Sequence, residues 1–211
     1  MQTEELIESL AAQLQPVQRM QAPLLRALGW LATVALIGLV LVLRYANPGQ
    51  FMPRLQVTRI ALECAGSSLT AIAAIIAAFE LSIPGRSRRW AWLPLPPLAL
   101  WLGASGLGCW HNGLGLKQLP SGESGHCFVF IAGVSVPLAV ALFWMLRRAY
   151  PIAPLRVALT GTLGVAATAA SLLQFFHPFD ITLLDLAFHL AAVTSVVLVG
   201  TLLRRWLLAV R

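Results

Sequence analysis

Seven side chains of this sequence have the chemistry to bind a soft metal ion or to respond to an oxidant. They are the three cysteines and the four histidines: Cys64, Cys109, Cys127, His111, His126, His177 and His189. Thiolate and imidazole suit Cu(I) and Zn(II), and the thiolate is also the form of cysteine that oxidants attack. The sequence has no C-x-x-C and no zinc-finger spacing, so a metal site, thiol-only sensing and the absence of ligand chemistry all stay open.

Short spacings pair these side chains along the chain. The pairs are His126 with Cys127, Cys109 with His111, His177 with Asp180, and Asp185 with His189. Asp185 precedes His189 by four residues, so in a helix its carboxylate would face the same way and could orient the ring. These are four half-sites, and none of them is specific alone.

The composition indicates which elements carry these residues. Of the 211 residues, 58% are hydrophobic and 11% are charged, and the mean hydropathy is +0.79. A soluble domain of this length could not bury so much apolar surface in one core. The sequence therefore predicts a membrane protein.

A helix needs roughly 20 apolar residues to span a bilayer. Six runs meet this requirement, at approximately 24–43, 57–80, 90–110, 127–146, 155–176 and 181–203. Their apolar stretches are continuous and not alternating, which favours helices over barrel strands. The predicted fold class is all-α, a polytopic bundle of six transmembrane helices.

The basic residues indicate the orientation of the bundle, because cytoplasmic flanks carry an excess of arginine and lysine. With the N-terminus inside, the inner flanks hold 11 of the 15 basic residues: Arg19, Arg26, Arg86, Arg88, Arg89, Arg147, Arg148, Arg156, Arg204, Arg205 and Arg211. The net charge of +7 therefore reports topology and not direct nucleic-acid binding. An N-in, C-in bundle follows, and it places all seven cysteines and histidines in the outer half.

The residues before the first apolar run predict a short cytoplasmic amphipathic helix over 3–15. Thr3 can cap it, and Pro16 ends it. Its apolar stripe consists of Leu6, Ile7, Leu10 and Leu14, with Glu4 and Glu8 off the stripe. Anionic lipid would repel this segment, because residues 1–18 contain three acids and no base. We expect it to bind a cytoplasmic protein through a hydrophobic groove rimmed by positive charge, the alternative being packing on the inner ends of the bundle.

Two acidic residues inside the runs have candidate basic partners. Arg59 and Glu63 are four residues apart, so a helical ion pair is the conservative interpretation, with a ligand role for Glu63 as the alternative. Glu80 is predicted to meet one of the basic residues that follow it, Arg86, Arg88 or Arg89.

Five segments carry a family resemblance. They are LIESLAAQLQPV at 6–17, His126-Cys127 opening the fourth run, Ser135-Val136-Pro137-Leu138 within it, its exit Leu146-Arg147-Arg148-Ala149-Tyr150-Pro151, and the His-led turn before the last run. Together they resemble the NrsF-type family of bacterial inner-membrane anti-sigma factors. The resemblance implies that the N-terminal segment binds an extracytoplasmic-function (ECF) sigma factor and that external cysteines sense the stress signal.

The resemblance also assigns individual positions. Cys127 matches the family's cysteine in the fourth span, and His177 matches the histidine of its His-Cys turn. The family's second cysteine falls on Pro178, so a disulfide between those two positions is impossible here. This departure favours a metal signal, copper or zinc, over a two-cysteine switch, although Cys109 could restore a thiol pair. The candidate ligands are Cys127, His126, His177, His189, Cys109 and Asp180.

The prediction divides the chain into a cytoplasmic segment, 1–23, and a transmembrane domain, 24–211. It describes a non-enzymatic regulator in a bacterial inner membrane, with both termini cytoplasmic. Its partners are a cytoplasmic ECF sigma factor, the lipid bilayer and a metal ion, with no certain cofactor. The alternative is a small permease or channel, or a membrane thiol oxidoreductase that uses the outer cysteines and histidines.

Overall fold

A computed structural model of the protein describes residues 3–13, 20–46, 48–111, 124–176 and 183–208, with the backbone alone at 48, 50, 108–111, 124–125 and 183–185. Throughout these ranges, every regular element is a helix. They are α1 (Thr3–Ala12), α2 (Pro23–Tyr45), α3 (Pro48–Leu55), α4 (Thr58–Leu81), a 3₁₀ helix (Arg88–Trp92), α5 (Leu95–His111), α6 (Ser124–Arg147), α7 (Pro154–Phe176), α8 (Leu183–Leu202) and α9 (Arg204–Leu207). The predicted all-α class is confirmed.

Four helices are long and apolar enough to cross a membrane: α2, α4, α7 and residues His126–Arg147 of α6. A helix of 23 residues is roughly 35 Å long, against about 30 Å of hydrocarbon in a bilayer. The apolar part of α8, Leu186–Leu202, is shorter, and α5 has 17 residues. Six spans and the N-in orientation stay predictions.

Helix boundaries lie close to the predicted ones, with three differences. The third run is divided into the 3₁₀ helix Arg88–Trp92 and α5. The stretch 44–56, predicted as a connection, contains α3, and α1 ends at Ala12. Residues 14 and 15 of the predicted helix lie outside the described residues. Proline explains the first difference, because Pro94, Pro96 and Pro97 lack the backbone donors that a continuous helix would need there, whereas the first turn of α5 does not need them.

Helices α4 and α7 pack against each other at the centre of the bundle, and both are rich in small buried residues. The helices approach each other closely at glycines. A Cβ added to Gly164 would lie 2.8 Å from Ile75 Cδ1, and one added to Gly66 would lie 2.8 Å from Trp101 Cα on α5. Small residues at such contacts are the usual basis of helix packing in membranes.

Contacts between helix termini define two ends of the bundle. At one end, the Arg26 guanidinium bonds the carbonyl of Met145 and lies over the ring of Phe79, which brings together the start of α2 and the ends of α4 and α6. At the other end, Cys64 near the start of α4 bonds Gln174 near the end of α7. We call these the arginine end and the cysteine end.

Candidate functional site

Helix α1 presents its apolar stripe to solvent. Leu6, Ile7 and Leu10 are 43%, 59% and 56% exposed, and α1 has no buried side chain. Glu4 and Glu8 are exposed as well, and Leu14 lies outside the described residues. An isolated helix of 10 residues is marginal in water, so a partner that covers the stripe would stabilise it.

A group of buried and half-buried polar side chains lies at the cysteine end, between α4, α5 and α7. We call it the polar cluster: Arg59, Glu63, Cys64, Ser67, Ser105, Ser171 and Gln174. Its acidic member, Glu63, accepts a 3.0 Å hydrogen bond from Ser105 Oγ on α5. Arg59 Nη1 lies 3.8 Å from Glu63 Oε2, which confirms the predicted ion pair between residues four apart. A carboxyl group in the hydrocarbon region costs about 3 kcal/mol on insertion scales, and these two partners offset part of that cost.

The rest of the polar cluster joins α4 to α7 around Ser67. Ser171 Oγ and Gln174 Nε2 both donate to Ser67 Oγ, at 3.1 and 3.2 Å. The Cys64 thiol donates to the other atom of the same amide, Gln174 Oε1. Two helices that pack at the centre of the bundle are therefore also linked by side-chain hydrogen bonds, one of which includes a thiol.

The Arg59–Glu63 pair was predicted from the sequence and Cys64 was singled out there, but the serines and the glutamine of this cluster were missed. A signal for them was present in the spacing. Glu63 and Ser67 are four residues apart and Ser171 and Gln174 are three apart, so each pair shares one face of its helix. Polar faces inside apolar runs predict such interhelical bonds, although they do not identify the partner helix.

Removing the Ser105 hydroxyl should destabilise the bundle, because Glu63 would lose its hydrogen-bond donor while staying buried. We expect Ser105→Ala to lower the free energy of unfolding by about 1–3 kcal/mol. The measurement is a denaturant titration of the full chain in mixed micelles.

Ser135 on α6 provides the matched control. Both serines are 2% exposed, but the Ser135 hydroxyl has no hydrogen-bond partner within the described ranges. Ser135→Ala should therefore be neutral or slightly stabilising. Equal losses for the two variants would mean that the bond to Glu63 contributes nothing.

The cysteine end also carries three of the predicted metal ligands, on α6 and α8. Cys127 is fully buried in an apolar cluster that includes Ile131, Leu173 and Ala192. His126 is exposed, as expected for a neighbour about 100° away around the helix, so the adjacent pair does not face one point. His189 is half-buried on α8, one turn before Ala192. Helices α6 and α8 pack together, which brings Cys127 and His189 to the same region.

The other predicted ligands are outside the described side chains. These are Cys109, His177 and Asp180. The side chains of His111 and Asp185, which the sequence pairs with Cys109 and His189, are outside the described side chains as well. Among the side chains that are described, no group of three or more His, Cys, Asp or Glu residues could hold a metal ion. The six-residue ligand set remains a prediction.

The arginine end contains a second confirmed ion pair and a basic groove. Arg86 Nε lies 3.2 Å from Glu80 Oε2, as predicted for one of the three candidate partners. Beyond this pair, a cavity of about 690 Å³ is lined by five arginines: Arg86, Arg88, Arg156, Arg204 and Arg205. We call it the arginine groove. Apolar side chains, including Leu81, Ile152 and Leu155, form the rest of its wall.

Fold and site together define an all-helical protein with helices of membrane-spanning length and an exposed acidic amphipathic helix. A family model described as NrsF, negative regulator of sigma F, matches residues 10–209. The match covers nearly the whole chain, so the protein belongs to this family. Its partner is therefore a sigma factor, and the family is one of regulators and not of enzymes. No curated protein and no solved structure matches the chain.

Proposed function

We propose that the protein is an integral-membrane anti-sigma factor. It holds a cytoplasmic ECF sigma factor through the segment 1–23 and releases it when cysteine and histidine side chains at the outer face detect a metal ion or an oxidant. The observation that carries the proposal is the exposed acidic amphipathic helix α1 on a chain of this family.

The proposed topology has six spans, α2 and α4 to α8, in the domain 24–211. The arginine end would face the cytoplasm of a bacterial inner membrane, because basic flanks favour that side. Both chain termini would then be cytoplasmic, and the cysteine end would face outward. The arginines of the groove, with Arg26, Arg147 and Arg148, support this orientation.

Sigma binding would use both faces of α1. The stripe of Leu6, Ile7 and Leu10, extended by Leu14, would enter an apolar groove on the sigma factor. Glu4 and Glu8 would meet a basic rim, which also provides specificity through charge complementarity.

The signal would act at the opposite face. A copper or zinc ion bound by Cys127 with His126, His177, His189, Cys109 and Asp180 is the favoured form, and thiol oxidation is the alternative. Cys127 is buried among apolar side chains, so ligation or oxidation of its thiol would change the packing of α6 against α7 and α8.

The free energy that the signal must supply to release the sigma factor is small. Lowering sigma affinity a hundredfold requires about 2.7 kcal/mol. The two hydrogen bonds that Ser67 accepts from Ser171 and Gln174 are together worth about 2–3 kcal/mol, at about 1–1.5 kcal/mol each. A shift of α4 against α7 that breaks the bonds to Ser67 would therefore be large enough to couple the two faces.

Deleting residues 2–16 tests the proposal, because this deletion removes α1 and leaves every described residue of the bundle. In a strain carrying the cognate sigma gene, we expect constitutive expression of the sigma-dependent genes without any signal. The truncated chain must remain in the membrane fraction at the normal level. Unchanged expression under that condition would contradict the proposal.

A further inference from the structure

The arginine groove has no role in the sigma regulation proposed above. Its five arginines come from three separate segments: the connection after α4, the start of α7 and the start of α9. Glu80 pairs with Arg86. The remaining four, Arg88, Arg156, Arg204 and Arg205, have no carboxylate partner in the part of the chain that the structure describes.

The arginines that line this cavity concentrate positive charge there, which an anion would neutralise. Arginine suits phosphate especially well, because its planar fork donates two parallel hydrogen bonds to phosphate oxygens. One singly charged group would leave most of the charge of the groove uncompensated. The charge therefore favours a ligand with more than one phosphate.

The position of the groove identifies the source of that phosphate. Large aromatic side chains are exposed at the arginine end: Trp92 is 69%, Trp144 49%, Tyr150 65% and Trp206 84% exposed. Exposed tryptophan and tyrosine rings concentrate at the level of lipid headgroups in membrane proteins. Trp206 follows Arg204 and Arg205 directly, so these arginines lie at the same depth.

The wall of the groove fits the rest of a lipid. Ile152 is 77% and Leu155 46% exposed beside Arg156, so apolar surface adjoins the charged groups. A phospholipid could place its phosphates on the guanidinium groups while its acyl chains cover these side chains. Basic pockets between transmembrane helices bind such headgroups.

We propose that the arginine groove binds an anionic phospholipid carrying two phosphates, of the cardiolipin type. The lipid joins the inner ends of α4, α7 and α8 and so fixes the arginine end of the bundle. This inference rests on the membrane insertion in the proposed function and is independent of sigma binding.

The test is native mass spectrometry of the full chain in detergent, titrated with cardiolipin, phosphatidylglycerol or phosphatidylcholine. We expect affinity to fall in that order. Arg156→Gln with Arg204→Gln should weaken cardiolipin binding roughly 30-fold, at about a factor of five per arginine near the headgroups. Arg156→Lys with Arg204→Lys keeps the charge but loses the planar fork, so its affinity should lie between those of the wild type and the glutamine pair, which also shows that the fold tolerates changes at both positions.

The matched control is Arg147→Gln with Arg148→Gln, two exposed arginines outside the groove at the same end. An equal loss in the control would mean that cardiolipin responds only to net charge, and the proposal would fail. Binding that appears only after residues 2–16 are deleted would also overturn it, because the acidic α1 would then be the occupant. If the chain does not insert into liposomes at all, both the proposed membrane insertion and the proposed lipid site are wrong. If it inserts but binds the three lipids equally well, only the proposed lipid site is wrong.

Discussion

Replacing Leu10 by aspartate is expected to weaken binding of the sigma factor by at least 30-fold, about 2 kcal/mol, which is the usual cost of losing an apolar anchor at the centre of an interface. Leu10 lies on the exposed stripe of α1, one helical turn after Leu6 and Ile7, and the predicted stripe continues from it to Leu14. The aspartate would have to lose its hydration in an apolar groove. The measurement is the Kd between the full chain in nanodiscs and the purified cognate sigma factor.

Ala12 offers the matched control on the same helix. It is exposed and lies off the apolar stripe, so Ala12→Asp adds the same charge near the same helix terminus without entering the interface. We expect a change of less than about threefold, typical for a rim position. Equal losses for the two variants would show that added charge weakens binding and that the stripe is not the contact surface.

Replacing Cys127 by alanine is expected to abolish the response to the external signal, so that the ratio of sigma-dependent expression with and without signal falls to about one. The thiolate is both the metal ligand and the redox-active form of cysteine. Cys127 is also the described cysteine whose side chain is fully buried between α6 and its neighbours, where a new bond would disturb packing most. The measurement is a reporter assay with copper, zinc and an oxidant.

Two further variants separate the possible signals. Cys64→Ser is the control, because it removes a thiol outside the predicted ligand set and keeps a hydroxyl that can donate to Gln174 in the polar cluster; its response should persist. His177→Ala should abolish a response to a metal and leave a thiol-only response intact. A Cys127→Ala strain that still responds to every signal would refute the proposed sensor.

The boundaries of the long helices could be predicted because the bilayer imposes a minimum apolar length. The run 57–80 corresponds to Thr58–Leu81, and the run 155–176 to Pro154–Phe176. The two ion pairs were also predictable, since Arg59–Glu63 is set by the helical period and Glu80 is followed by few candidate partners. These features depend on local geometry alone.

Features that depend on which helices meet could not be predicted. Ser105 meets Glu63 across 42 residues of sequence, and Gln174 meets Ser67 across 107. The spacing of polar residues along one helix does not identify the helix that it meets. Helix α3 was missed for a different reason: Pro48 and Pro53 look like helix breakers, but Pro48 opens the helix, where proline is tolerated.

The candidate sensor was predicted as a set of residue types, and the structure adds orientation to it. His126 and Cys127 are neighbours in sequence, yet His126 is exposed and Cys127 is buried. The helical period alone would have separated them, because successive side chains diverge by about 100°. Cys127 therefore needs partners from other helices, and His189 is a described candidate because its helix, α8, packs on α6.

The most direct test of the central claim is photo-crosslinking from α1 in living cells. A photoreactive amino acid at Ile7, in the exposed stripe, should yield a crosslinked product that mass spectrometry identifies as a sigma factor, and the product should disappear when the signal is added. The same probe at Val129, which is 69% exposed on α6 at the cysteine end, should yield none. Crosslinks from Ile7 only to lipid or to the bundle itself would contradict the account.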